Sequence, residues 1–228
     1  MSGLSIIVPA RGGSRRLPGK NLRTLAGLSL LGWTLGAVRA AGFAETPVLS
    51  TDDPAIAAEG RRLGYAVPFL RPPVLSSDDA PTVPVVLHAL DQARATGVDE
   101  PDFAMLLQPT SPFRPPRLLR DGFDTLKASP AAETLIAVRP LHVGLQHVYR
   151  AEGPCLVRAT TDAGTGYVPS GALYIARTAA LRRQESFVAP RCLWLAHDGL
   201  SALDIDTDED WAIAEAAVAA GRAVPPVV

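Results

Sequence analysis

A chain of 228 residues, 47% hydrophobic and 20% charged, is long enough for one sizeable α/β domain with a substantial core, and residues 1–228 are expected to form it. Its 22 Lys and Arg against 23 Asp and Glu exclude a broad nucleic-acid or membrane-binding surface, so any concentration of charge is a local device for a small partner. Cys155 and Cys192 form no C-x-x-C pair, no signal-like segment opens the chain, and the uncharged run from Thr24 to Val38 is shorter than the roughly 20 residues of a membrane span, which together predict a cytoplasmic protein.

The aliphatic run Ser5 to Pro9 suits a strand buried on both faces, and at its C-terminal end begins Ala10-Arg11-Gly12-Gly13-Ser14-Arg15-Arg16-Leu17-Pro18-Gly19-Lys20-Asn21. Open α/β sheets bind ligands at that end of a strand. Gly12 and Gly13 permit a turn that presents backbone N–H groups, and Arg11, Arg15, Arg16 and Lys20 place four positive charges within ten positions, which implies a polyphosphate. The loop is not a Walker A motif, since five residues separate Gly13 from Gly19 and Asn21 follows Lys20, and it lacks the G-x-G-x-x-G fingerprint.

Helical spacing of Leu31, Leu35 and Val38 predicts a helix over Leu30 to Ala40, with Trp33 as a packing residue. A strand follows over Thr46 to Leu49, then a helix from Pro54 to Leu63, for which Asp52 and Asp53 read as capping residues. Ala66 to Leu70 reads as a short strand, Arg71 to Pro84 as a proline-rich loop and Val85 to Ala95 as a helix carrying His88 as a packing residue. Phe103 to Leu107 is a buried strand, ending in a polar lip, Gln108, Thr110 and Ser111, held by flanking prolines. A helix over Pro115 to Ala128 and a strand over Thr134 to Val138 follow. The stretch 140–169 has poor periodicity and reads as a β-rich excursion. Ala172 to Ile175, Cys192 to Leu195 and Ala202 to Ile205 are expected strands, and Thr178 to Arg183 and Asp208 to Ala220 helices, completing a three-layer α/β domain.

Asp204-Ile205-Asp206 places two carboxylates at strand spacing on one side of a strand end. Facing bound phosphates, they make a Mg2+ site, because this ion takes one or two protein carboxylates and fills its shell with water and phosphate. The alternative is that Asp206 caps the final helix while Asp204 pairs with a nearby cation. The histidines and cysteines lack zinc spacing, and no G-x-S-x-G elbow occurs.

The segment PARGGSRRLPGKN resembles the signature loop of the sugar-activating nucleotidyltransferases, in particular the cytidylyltransferases that make CMP-linked acidic sugars. STDD (Ser50 to Asp53), RPPVLSSDDAPT (Arg71 to Thr82), LLQPTSPFR (Leu106 to Arg114), SGALYI (Ser170 to Ile175) and LDIDTDED (Leu203 to Asp210) agree in the same order. The resemblance implies a Rossmann-like nucleotidyltransferase fold, CTP as co-substrate, an acidic sugar as partner and a homodimer formed through the excursion. It implies nucleotide contacts from Ala10, Arg11, Gly12, Gly13, Ser14, Arg15, Lys20, Asn21, Arg71, Ser76 and Asp78. It implies a sugar contact from Gln108, metal contacts from Asp204 and Asp206, and catalytic work by Arg11, Lys20 and Asp206.

Within that resemblance, activation of a nonulosonic acid is the expected reaction. A 3-deoxy octulosonic acid as substrate, suggested by Arg16-Leu17-Pro18-Gly19-Lys20, and a non-catalytic nucleotide-binding protein with a degenerate sugar site are the alternatives. The chain also departs from the resembled pattern: Ser170 stands where enzymes for N-acetylneuraminate carry Asn, and no positive charge lies between Arg158 and Arg177. The expected sugar is therefore a modified nonulosonic acid, held by Gln108, Ser111, Ser170 and Arg158, unless Arg150 or Arg158 reaches in from a second subunit.

Overall fold

Buried side chains alternate along β1 (Leu4–Pro9): Ile6 and Val8 belong to one core cluster and Ile7 to another, so the strand separates two apolar layers. The computed structural model describes residues 3–77 and 80–228. After β1 come a small ribbon of β2 (Thr24–Leu25) and β3 (Leu28–Ser29), helix α1 (Leu30–Ala40), β4 (Val48–Ser50), α2 (Pro54–Leu63), α3 (Thr82–Ala95), β5 (Phe103–Leu106) and α4 (Pro116–Ala128). The chain continues through β6 (Thr134–Gly144), the hairpin of β7 (Tyr149–Glu152) and β8 (Cys155–Arg158), β9 (Thr165–Arg177), α5 (Thr178–Gln184), β10 (Cys192–Ala196) and α6 (Asp208–Ala219).

The main sheet has six strands in the order β10-β6-β9-β5-β1-β4. β1 pairs in parallel with β4 and β5, and β10 with β6, while β9 runs antiparallel between β5 and β6. One face is covered by α1, α2 and α4 through Leu31, Leu35, Ile56, Leu119 and Phe123; the other is covered by α3 and α5 through Val86, Leu90 and Leu181. This is the expected three-layer α/β architecture.

A third, smaller cluster positions the site. Leu17 of the basic loop and Ile205, which lies between the two carboxylates, are both buried with Leu25, Trp33 and Trp211. Burying each of the two aliphatic side chains is worth about 1.5–3 kcal/mol, so the opening loop and the segment before α6 are tied together by packing. Trp33 serves there as the packing residue expected, with its indole N–H donating to the Leu25 carbonyl at 2.9 Å.

Two expected strands do not form. Of the stretch Ala66 to Leu70, only Ala66 makes an isolated parallel bridge with Val48, because Pro68 removes a ladder donor. Ala202 to Ile205 is likewise not a strand. A 3-10 turn spans Gly199–Ala202, and the Ile205 N–H is bonded to the Thr110 carbonyl at 2.8 Å instead of to a sheet neighbour. Helix α3 begins three residues earlier than expected and accommodates Pro84 in its first turn, where a missing N–H costs nothing. β6 and β9 extend well past their expected ends into the β-rich excursion. Among the described residues no helix is long and apolar enough to cross a membrane.

Candidate active site

The basic loop leaves β1 at the C-terminal end of the parallel strands and is braced by the protein's own hydrogen bonds. Buried Asn21 donates its side-chain N–H to the Arg11 carbonyl at 3.0 Å, and Ala10 N–H donates to the Ser50 carbonyl at 3.0 Å. Gly12 is required by proximity, since a Cβ there would stand 2.4 Å from an oxygen of Asp53. Its N–H, expected to face phosphate, donates instead to Asp52 Oδ1 at 3.2 Å. That reassigns Asp52. Asp53 alone caps α2, accepting from Ala55 and Ile56 N–H at 2.7 and 3.2 Å, while Asp52 holds the loop and faces the Arg71 guanidinium at 3.7 Å.

Beside this loop lies a cavity of about 310 Å³, lined from the loop by Arg11, Ser14, Lys20 and Asn21, from the proline-rich segment by Arg71 and Ser77, and from the opposite wall by Gln108, Thr110, Asp204 and Asp206. Arg71 is buried, its Nε donating to Ser76 Oγ at 3.1 Å; burial pulls its guanidinium below its ordinary pKa, with Asp52 opposing. Ser76 thus acts on the cavity through Arg71. Ala10, Gly12, Gly13 and Arg15 lie outside the lining, and Asp78 falls outside the described residues.

Asp204 and Asp206 have opposite environments. Asp206 accepts from Lys20 Nζ at 2.8 Å and from an Arg16 guanidinium nitrogen at 2.6 Å. Burial raises its carboxyl, but the bonds and charges of Lys20 and Arg16 outweigh this and hold it below the ordinary value. Asp204 is pushed upward by burial, with Asp206 adding to the rise and Thr110 and Lys20 opposing it, and its Oδ1 is buried without a hydrogen-bond partner. A carboxylate oxygen buried unpaired is costly, which makes it a place where a cation fits. Among the described residues no group of three His, Cys, Asp or Glu gathers, so a metal here would have at most these two carboxylates, the protein ligand number Mg2+ accepts.

The expected sugar contacts are only partly brought together. Gln108 lines the cavity. Ser111 and Ser170 are buried and committed elsewhere: Ser111 Oγ donates to the Ser170 carbonyl at 3.1 Å, and Ser170 Oγ lies 3.2 Å from the Ala137 carbonyl and 2.7 Å from His197 Nε2. Arg158 is exposed on β8, opposite Tyr149 in the hairpin and away from the cavity.

Arg114, the last residue of LLQPTSPFR, has a role that local sequence does not signal. Its buried guanidinium donates to the carbonyls of Gln108, Ser111 and Ala172, the latter two at 2.9 and 2.8 Å, so it braces the lip from behind. Burial, opposed by Tyr65 and Asp204, brings its pKa down to about 10. Gly171 completes the lip: at φ 78°, a Cβ there would come within 2.6 Å of Gln108 Oε1.

This arrangement, a cationic loop facing two carboxylates across a cleft at the strand ends, can be compared with known proteins. The chain is 31% identical over 219 residues to a CMP-N,N'-diacetyllegionaminic acid synthase of Legionella pneumophila, covering 92% of this chain and 93% of that protein. It is 26% identical over 221 residues to a pseudaminic acid cytidylyltransferase of Campylobacter jejuni, covering 90% and 91%. An N-acylneuraminate cytidylyltransferase of Escherichia coli is 30% identical over 226 residues, covering 91% of this chain and 50% of that protein. Among solved structures, a CMP:2-keto-3-deoxy-manno-octonic acid synthetase complexed with CTP superposes with a TM-score of 0.71 at 17% identity, covering 96% of this chain and 100% of that one, which shows a common fold. The cytidylyltransferase family model matches residues 5–183. The chain belongs to the cytidylyltransferase family.

Proposed function

We propose that the protein transfers CMP from CTP to a nonulosonic acid and releases pyrophosphate. The observation that carries this reading is the cleft in which Lys20 and Arg11 face Asp204 and Asp206. The relatives that make CMP-legionaminic acid and activate pseudaminic acid support it, since the chain matches them over nearly their whole length. The anomeric hydroxyl of the sugar attacks the α-phosphorus and gives up its proton to solvent, the new O–P bond forms as the bond from the α-phosphorus to the α,β-bridging oxygen breaks, and pyrophosphate leaves with that oxygen. Such a transfer is governed by alignment and by neutralising spread negative charge.

In this scheme Arg11 and Lys20 hold the phosphates, Arg71 and Asn21 shape the nucleotide end of the cleft, and Gln108 presents its amide to the sugar. Asp204 and Asp206 would hold Mg2+, which supplies charge neutralisation at the phosphates. Arg16 and Lys20 pair with Asp206, so the loop is held against the segment before α6. A homodimer built through the excursion fits the exposed apolar side chains Tyr149, Leu156, Tyr167 and Trp194, and a cytoplasmic location fits CTP as co-substrate.

A modified nonulosonic acid is a better match to the lip than N-acetylneuraminate, because Ser170 is turned inward and offers no side chain to the cleft. Octulosonate activation has a narrower basis: a relative of that activity from Psychrobacter is 30% identical over 157 residues, 69% of this chain. Mass-spectrometric analysis of reactions with CTP and N,N'-diacetyllegionaminic acid, N-acetylneuraminate or 3-deoxy-manno-octulosonate tests the reading. The expected product is a CMP-nonulosonate with diacetyllegionaminate preferred; a highest specificity constant for N-acetylneuraminate overturns the sugar assignment.

A further inference from the structure

A second polar cavity, of about 260 Å³, adjoins the nucleotide cleft, and Asp204 lines both. Its other walls come from Arg139 and His142 on the extended end of β6, from Asp198, Gly199, Ala202 and Leu203, and from Asp210. Arg139 is exposed and enters none of the ion pairs found among the described residues. Its place in the sheet is informative. In the β6–β9 ladder Arg139 stands directly opposite Val168, within Gly164 to Pro169, the stretch from which positive charge is missing.

We propose that Arg139 is the carboxylate anchor for the acidic sugar, its guanidinium facing this second cavity from the strand beside the one that lacks a cation. The inference rests on the nonulosonate reading above and adds a specificity-determining residue to it. The chemistry of the walls matches such a ligand. A guanidinium can take a carboxylate by two parallel N–H donations, whereas Asp198 is an acceptor-only group suited to sugar hydroxyls. Asp210 bears less directly on the ligand, since its Oδ2 already accepts from the N–H groups of Asp206 and Thr207 and from the Thr207 hydroxyl. Asp204 then lies at the junction of the two cavities, where the sugar's reacting hydroxyl and the α-phosphate have to meet.

The test compares the unmodified protein with Arg139→Gln and Arg139→Lys, using CTP with N,N'-diacetyllegionaminic acid and with its methyl ester, and pyrophosphate release as the readout. The unmodified protein should prefer the acid to the ester. Arg139→Gln should raise KM for the acid at least about tenfold and abolish that preference while leaving KM for CTP unchanged, and Arg139→Lys should restore part of it, because a charge-assisted pair is about twice as strong as a neutral one. An acid-over-ester preference that survives in Arg139→Gln overturns the proposal. So does a parallel loss of CTP binding, which would make Arg139 a structural residue. An unmodified protein that turns over no sugar acid with CTP removes the reading beneath it, and that arm is read before any variant.

Discussion

Lys20 Nζ lies 2.8 Å from Asp206 Oδ1, so that the opening loop and the segment before the last helix, 186 positions apart, meet in one ion pair. In the sequence the two belong to separate motifs, a basic phosphate loop and a pair of carboxylates. Their contact, supported from behind by Leu17 and Ile205, makes them a coupled unit in which a bound triphosphate and its metal would compete for the same groups.

If Lys20 neutralises triphosphate charge more strongly as the transition state forms, Lys20→Ala lowers the rate of the chemical step at least about tenfold, about 1.4 kcal/mol of barrier. Single-turnover pyrophosphate release measures it, and unchanged turnover in a folded Lys20→Ala protein removes the assignment.

Asp206→Asn should weaken both magnesium dependence and turnover. It also has a pH signature. The Asp206 carboxyl is held below its ordinary value near about 4 by Lys20 and Arg16 against the opposing effect of burial, so its contribution to stability is present above the unfolded value and is lost as pH falls through the lowered folded one. Melting temperatures of the two proteins should differ at neutral pH and converge in acid. A gap that persists unchanged into acid contradicts the ion-pair account.

Asp204 runs the other way. Burial raises its carboxyl, so the stability it contributes is full below the unfolded value and is lost as pH rises through the raised folded one. Without nucleotide or metal, Asp204→Asn should therefore melt higher than the unmodified protein at neutral pH, with the gain shrinking on acidification, while turnover falls. This is the stability-for-function exchange expected of a group kept for binding. A variant that melts lower at neutral pH contradicts it.

Arg114→Met removes the guanidinium donor from the carbonyls of Ser111 and Ala172, at about 1–3 kcal/mol for each group left buried and unsatisfied, while the Gln108 carbonyl keeps the Ser111 N–H. Thermal melting should fall by several degrees, at about 2–4 °C per kcal/mol for a chain of this size. Retained melting with a retained Gln108-dependent sugar KM would show that the lip needs no brace.

Helices α1 and α2 were legible to the residue, α1 from the helical spacing of Leu31, Leu35 and Val38 and α2 from the Asp53–Pro54 start that caps it. The loop at the end of β1 was legible as a wall of the cleft because its charge and glycines are contiguous. Asp52 was not, since its task depends on a loop forty positions away, which a capping pattern shared with Asp53 concealed. Arg114 was missed because nothing in local sequence distinguishes a buried guanidinium from a solvated one. Asp204 and Asp206 both line the cleft, although not from the expected strand: alternation mimics a strand, but Ile205 gives its N–H to Thr110 and no sheet edge receives it. Ser111 and Ser170 were expected to hold the sugar as polar groups left once the missing positive charge was noted, yet Ser111 donates to the Ser170 carbonyl and Ser170 lies against the Ala137 carbonyl, so both hydroxyls are committed inward.

Pyrophosphate release, followed with CTP, ATP, GTP and UTP in turn, with and without N,N'-diacetyllegionaminic acid, tests the central claim most directly. The account predicts release only when CTP and the sugar acid are present together, with one CMP-linked sugar formed per pyrophosphate. Release that does not depend on the sugar acid, or CTP binding with no release in the presence of any nonulosonic or octulosonic acid, would contradict it.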